Sequence, residues 1–270
     1  MFIVDWESGC ILTGFFMAST DDGFKDHFSS LAARYSEFRP GYPQELFEYL
    51  CSVTPETGLA WDCATGSGQA AVALAGCVDA VIATDASQKQ IKKAQPHPSV
   101  EYAVAPAESS GLEDASVDLI TVAQALHWFD IPRFMREVQR VLKPNGVLAV
   151  WTYNLFRISP TVDAVVDDLY WNTLHGFWDE SRRMVERGYA DLDLPLDELE
   201  PPRFKMSAHW TLEHLQGYLG TWSAIRSYRN SMDACPVAQI SPRLAQEWGK
   251  EGAKRKISWP LSLRVGVKRP

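Results

Sequence analysis

Between Gly58 and Tyr153 the chain passes through five short apolar stretches separated by helix-patterned ones, and this alternation limits the fold more than any other feature. "GLAWDCA", "AVIATD", "VEYAVA", "VDLITVAQAL" and "GVLAVWTY" read as strands. Between them Gly68–Leu74, Ser87–Ala94 and Ile131–Leu142 carry helical patterns, the last stopped at "KPNG" by Pro144 and Gly146. Strands that are apolar throughout need cover on both faces, and the interleaved helices supply it. The pattern therefore predicts an α/β fold with a doubly wound, mostly parallel sheet. Ligands on such sheets sit beyond the carboxyl ends of the strands. That brings Asp62–Gly68, Asp85, Ala105–Glu108 and Gln124–Phe129 to one edge.

The flanks extend this core. From Phe24 to Val53, "GFKDHFSSLAARY" and "YPQELFEYLCSV" are helix-patterned and joined by "RPGYP", with Pro43 suited to a first helical position. Beyond Asn154 the chain turns helical and aromatic, and seven of the ten tryptophans, Trp151, Trp171, Trp178, Trp210, Trp222, Trp248 and Trp259, lie after residue 150. Helices are predicted over Thr161–Leu174, Asp179–Gly188, Leu212–Tyr228 and Pro242–Lys250. "PPRFKMSAHWT" and "KISWPLSLRVGV" read as strands closing the sheet, which makes seven. The expected division is a loosely ordered extension over 1–23, with Met17 a candidate start, and one domain over 24–270. Within it lie a core (24–154), a lid region of helical insertions (155–256) and a closing strand (257–267).

Composition excludes several classes. With 26 Lys and Arg against 34 Asp and Glu the formal charge is −8, which argues against a nucleic-acid binder. The densest basic run, "KEGAKRK" at Lys250–Lys256, reads as a solvated loop. No stretch approaches the ~20 apolar residues of a membrane span. "CILTGFFMA" follows Asp5 and Glu7 with no basic residue, so it makes a poor secretory signal. The five cysteines are scattered, odd in number and without a CxxC pair, which points to a reducing, cytoplasmic compartment and no zinc site. The histidines show no HExxH spacing, so no metal is expected. A small-molecule partner is expected, with no nucleic acid, no membrane and no obligate protein partner.

The first strand ends on "WDCATGSGQAA", where Gly66 and Gly68 allow a tight turn and a close backbone approach to a ligand. The helix start that follows adds a positive dipole end. "GSGQAA" fits the loose GxGxxG/A dinucleotide pattern, yet Asp62 just ahead of it would repel a pyrophosphate and welcome an ammonium group. S-adenosylmethionine has that ammonium and no phosphate. Asp85 ends the second strand 17 residues after Gly68 (85 − 68), near the spacing of an acid that bonds ribose hydroxyls in either cofactor class. For both acids the competing reading is a helix cap or turn residue.

With these residues in place the sequence resembles class I S-adenosylmethionine-dependent methyltransferases over about Phe24–Val267. Within them it is similar to methyltransferase type 11 proteins and the trans-aconitate methyltransferase-like small-molecule group. The resemblance rests on "WDCATGSGQAA", "ATDAS", "APAESSGLEDASVDLITVAQALHWFD", "REVQRVLKPNGVLAVWTY" and "YLGTWSAIRSY", in that order. It implies a Rossmann-like fold with S-adenosylmethionine as cofactor. Asp62 and Gly66–Gly68 would hold the methionine portion, and Asp85 the ribose. Ala86 would pack on adenine, Ala107 and Glu108 would meet its edge, and Gln124 would lie beneath the cofactor. Two positions depart from the pattern. Ala64 replaces the usual first glycine, which is tolerable if its φ is negative. Pro106 replaces an acid often found before Ala107, and so removes an adenine contact.

The acceptor side is less constrained. His127 in "QALHWFD" is the histidine at a strand end, a candidate base or substrate-orienting group, or a packed histidine under the lid. Trp128 either covers the cofactor or packs. In "RYSEFRPGYP" Tyr35, Arg39 and Tyr42 precede the sheet where the family folds a helix over the cofactor. Arg39 would pair with a carboxylate or with a surface acid. Tyr153, at the end of the fifth strand, is a further substrate-binding candidate. In "TWSAIRSYR" Trp222, Arg226 and Tyr228 would line the acceptor pocket, with Arg226 and Arg229 candidate anion clamps, unless the helix buries Trp222 and Ile225 and turns both arginines to water. The expected activity is O-methylation of a small carboxylate-bearing metabolite. The alternatives are a non-catalytic cofactor-binding sensor or scaffold and an NAD(P)-dependent oxidoreductase.

Overall fold

The structure is a computed structural model and describes residues 38–270. The expected extension over 1–23, the helix beginning at Phe24, and Tyr35 lie outside the described residues. Five parallel strands form the centre: β1 (Leu59–Cys63), β2 (Ala80–Asp85), β3 (Val100–Val104), β4 (Val117–Ala123) and β5 (Leu142–Tyr153). Antiparallel β8 (Arg255–Val267) joins the edge of β5, then pairs with β6 (Asp197–Leu199) and β7 (Lys205–Trp210). The order is β3-β2-β1-β4-β5-β8-β6, with β7 also on β8. Sequence pattern predicts seven of these eight. The addition, β6, has three exposed residues, "DEL", and carries no apolar signal for its pairing to β8.

The chain leaves β1 toward β2 and β3 on one side and returns to β4 and β5 on the other. The crevice at the carboxyl ends of β1 and β4 is therefore the switch point where ligands bind in such sheets. β4 up to Val122 and the inner part of β5 are buried, consistent with their apolar runs. Helix α1 (Gln44–Val53) buries Leu46, Phe47 and Leu50 against one face, with α2 (Gln69–Leu74) beside it. On the other face α4 (Ile131–Val141) buries Phe134, Met135, Val138 and Val141, capped by Asp130, whose side chain accepts from Arg133 N. The helix predicted over Ser87–Ala94 shrinks to α3 (Gln88–Ile91), capped by Ser87.

The lid forms its own core. Helix α5 (Pro160–Asp168) runs directly into a π-helical turn, Leu169–Thr173, and α6 covers Arg182–Glu186. The helix predicted over Leu212–Tyr228 is two helices, α7 (Leu212–Gly220) and α8 (Ser223–Met232). Trp222 has an extended backbone at the break and is buried, so tertiary packing overrides a continuous helical pattern. Helix α9 (Pro236–Trp248) starts six residues earlier than predicted (242 − 236).

Two expectations are corrected here. The cysteines are not all unpaired: Cys51 on α1 and Cys77 after α2 form a disulfide across a separation of 26 residues, while Cys63 and Cys235 are free. Scattered positions in sequence hide this pair, which the packing of α1 beside α2 brings together. Ala64 has φ +55°, not a negative value. The turn needs a left-handed residue there, at a cost of about 1–2 kcal/mol for any residue with a Cβ. Among the described residues no helix is long and apolar enough to cross a membrane.

Candidate active site

The β1 end is organised by three side chains. Asp62 lies opposite Thr121 of β4 in register, so the hydroxyl of Thr121 donates to its Oδ1 at 2.8 Å. Thr65 Oγ1 donates to Oδ2 from inside the turn. Asp62 is fully buried, beneath the turn and not at an open edge as the sequence alone suggests. Burial pushes its carboxyl up to about 6, a rise the two hydroxyls and a backbone hydrogen bond with Ala71 oppose and the nearby Asp85 charge reinforces.

Asp85 closes the turn from β2. Its Oδ2 accepts from the Gly66 N–H at 3.0 Å and its Oδ1 from Ser87 N at 2.8 Å. Gly66 and Gly68 have φ +57° and +83°. A Cβ at Gly68 would come within 2.3 Å of the Tyr102 hydroxyl, whereas one at Gly66 would meet nothing within 4 Å. Both positions favour glycine through their left-handed backbone; a side chain at Gly68 would also displace the Tyr102 hydroxyl, and Gly66 leaves open room above the turn. Ala86 is exposed, Ala107 is buried in the core under α4, and Glu108 Oε1 accepts from Asp130 N at 2.9 Å.

Gln124 follows β4 directly in a left-handed conformation, φ +58°. Its N–H donates to Trp151 O, its Nε2 to Tyr153 O, and its Oε1 accepts from Thr152 Oγ1 at 2.6 Å. A strained backbone this thoroughly pinned at a strand end is typical of functional sites.

Beside it opens a cavity lined by Gln124, His127, Trp128, Tyr153 and Trp222, together with Arg39, Asn154, Trp178, Arg182 and Tyr218. Arg39 Nη1 donates to the Tyr153 hydroxyl at 3.1 Å and its guanidinium lies over the Tyr218 ring. His127 Nδ1 is 3.0 Å from the Tyr189 hydroxyl. Burial, then the charge of Arg182, hold the His127 imidazole down at about 3, against a small opposing pull from Asp179. At neutral pH it is uncharged and a weak base.

Of the acceptor-side residues expected from sequence, Arg39, His127, Trp128, Tyr153 and Trp222 line the cavity. Tyr42, Arg226, Tyr228 and Arg229 do not. Tyr42 packs edge-on against Trp151, with ring centroids 5.4 Å apart. Arg226 sits on α8 one turn beyond Trp222. Sequence reasoning missed Arg182 and Asn154. Arg182 lies 5.0 Å from the Trp178 ring centroid across a non-helical turn, so no helical spacing in the sequence announces the pair.

Comparison with known proteins gives a consistent result. Residues 61–150 match a family described as a methyltransferase domain. A Dictyostelium discoideum protein described as a methyltransferase is 36% identical over 256 residues, covering 92% of this chain and 97% of its own. A Schizosaccharomyces pombe methyltransferase is 35% identical over 130 residues, 46% of this chain and 51% of its own. A solved structure from Anaeromyxobacter dehalogenans, described as a type II methyltransferase, is 46% identical with a TM-score of 0.81, covering 86% of this chain and 99% of its own.

Proposed function

This chain belongs to the class I S-adenosylmethionine-dependent methyltransferases, and on that premise we propose that it methylates an oxygen of a small, carboxylate-bearing molecule. S-adenosylmethionine is its cofactor and supplies a methyl group already activated on a sulfonium. The turn suits that group, because the room above Gly66 is open to a ligand and Asp85 stands beside it at the β2 end. Asp62 and Gly66–Gly68 would hold the methionine portion, with the charge of Asp62 acting on the ammonium from beneath the turn. Asp85 would hold the ribose, Ala86, Ala107 and Glu108 would surround adenine, and Gln124 would lie below.

The lining of the adjoining cavity carries the reading of the acceptor. It holds two guanidinium groups, Arg39 and Arg182, among aromatic side chains, and no Asp or Glu. An anion is favoured there, and an ammonium is not. A carboxylate oxygen needs no proton removed before it attacks, so a neutral His127 of low basicity is no handicap. His127 would then orient the acceptor or shape the wall. Trp128 and Trp222 would exclude water, leaving alignment to supply most of the acceleration.

Labelled S-adenosylmethionine incubated with the full chain and matched small acids, amides, alcohols and amines tests this. Label should enter the acids alone, as esters released by mild alkali. Label in amines or alcohols instead would overturn the acid acceptor. Cofactor binding with no product from any class would favour the non-catalytic sensor, and NADH binding in preference to S-adenosylmethionine would favour the oxidoreductase.

A further inference from the structure

Arg182 stands at the mouth of α6 with its guanidinium facing the cavity. Its Nε donates to the Tyr170 hydroxyl at 3.0 Å and its Nη2 to Asn154 Oδ1 at 2.9 Å. Both acceptors are neutral, and Arg182 makes no ion pair among the described residues. Burial holds the Tyr170 phenol well above its ordinary value, so it keeps its proton and donates it to Glu186 Oε1 at 2.7 Å. The balancing carboxylate is thus one hydroxyl removed from the guanidinium. The remaining donors, Nη1 among them, are free for a ligand.

The plane of the guanidinium is fixed as well. It lies 5.0 Å from the Trp178 ring centroid and 5.7 Å from that of Tyr170. Tyr170 lies within the π-turn over Leu169–Thr173, closed by the Leu174 N–H on Leu169 O at 2.9 Å. A π-turn advances the helix by an extra residue, and such turns concentrate at functional sites. His127 and Arg182 line the same cavity, and the Arg182 charge adds to burial in holding the His127 imidazole below its ordinary value.

We infer that Arg182 is the residue that anchors the anionic group of the acceptor, and that Tyr170, Asn154 and Glu186 are positioning residues that hold its fork toward the cavity. The assignment rests on the acid acceptor proposed above and adds the residue that selects it. A carboxylate meeting a planar, pre-aimed guanidinium accepts two parallel hydrogen bonds, which a lysine ammonium cannot match.

The test uses full-length protein saturated with S-adenosylhomocysteine, with benzoate and crotonate compared against benzamide and crotonamide as probes. Binding is read by calorimetry and by tryptophan fluorescence. Wild type should bind each acid at least tenfold more tightly than its amide. R182Q should lose that preference, R182K should recover only part of it, and Y170F, which removes the hydroxyl but keeps the ring, should weaken acid binding several-fold. Affinity for S-adenosylhomocysteine should be unchanged in all three. An undiminished acid preference in R182Q overturns the assignment, as does absence of that preference in wild type; should R182Q not fold, R182K matching wild type does the same. If acids are methylated and R182Q makes no difference, this inference fails and the acceptor reading stands. If R182Q abolishes acid binding while wild type methylates only non-acids, the acceptor reading fails and the anion site stands.

Discussion

The carboxylate of Asp85 is bonded to the main chain of the turn it faces: Oδ2 accepts from Gly66 N at 3.0 Å, tying the end of β2 to the end of β1. One side chain therefore shapes the turn and presents a negative group where an adenosine would lie. D85A removes both contributions. It should weaken S-adenosylmethionine binding by about 1–3 kcal/mol through lost hydrogen bonds and an unpaired ribose. D85N retains one acceptor oxygen and should fall between D85A and wild type. Calorimetric Kd values decide it, and an unchanged Kd in D85A would remove Asp85 from the site.

Ala64 makes the opposite kind of prediction. Its φ of +55° is strained for any residue with a Cβ, while glycine adopts it freely. A64G relieves about 1–2 kcal/mol of native strain and returns part of that as entropy of the unfolded chain. The net expectation is a gain of roughly 0.5–1 kcal/mol in urea unfolding. A destabilised A64G would mean that the methyl group contributes packing worth more than the strain.

How much of this was legible in the sequence depends on which physical signal each residue carries. Asp62, Gly66, Gly68, Asp85 and Gln124 sit where apolar runs end, and strand ends on a parallel sheet converge by topology alone. The burial of Asp62 was not legible. Alternation along a strand says that neighbours point to opposite faces, and only the register with Thr121 shows which face is covered. Arg182 and Arg183 illustrate the same limit in the lid. Both lie on one predicted helix, yet Arg182 turns to the cavity while Arg183 is exposed. Arg182 is held there by Trp178, Tyr170 and Asn154, which lie outside its helix and which a helical period does not reveal. The disulfide was hidden for a related reason, since Cys51 and Cys77 meet only because α1 and α2 pack side by side.

Two buried titrating groups give a pH signature. The Asp62 carboxyl stands at about 6 in the folded protein, against ~3.9 unfolded. Between those values the folded state holds a proton that the unfolded state releases, so this group adds stability as pH falls from 6 to 4. His127 stands at about 3, against ~6.5 unfolded, facing Arg182, Asp179 and the protonated Tyr189 hydroxyl. As pH falls below 6.5 the unfolded chain takes up a proton that the folded one refuses, and stability is lost. The two slopes oppose one another between pH 4 and 6. Relative to wild type, D62N should lose stability more steeply on acidification and H127Q less steeply, each by on the order of 2 kcal/mol across the window. Urea melts at pH 4.5, 5.5 and 6.5 measure this, and parallel curves for wild type and both variants would contradict it. On the role proposed for Asp62, holding the ammonium requires its ionised form, so S-adenosylmethionine should also bind about tenfold more weakly at pH 5 than at pH 7 in wild type. In D62N that dependence should vanish.

The Cys51–Cys77 bridge closes a loop over a separation of 26 residues that contains β1, the glycine turn and α2. Cross-linking a loop of that length stabilises by about 3–4 kcal/mol when chain entropy dominates, chiefly by restricting the unfolded state. Reduction should therefore lower unfolding stability by roughly 2–4 kcal/mol, and C51A/C77A should reproduce the loss while no longer responding to reductant. Because the bridge joins α1 to the far end of α2, the glycine turn keeps its own fixings at Asp62 and Asp85 when the bridge opens. Cofactor affinity should then change by less than about threefold. Thiol titration of the denatured chain supplies the control, with two fewer reactive thiols before reduction than after. Equal thiol counts would show that the cysteines lie side by side unbonded, and the stability difference would then be absent too.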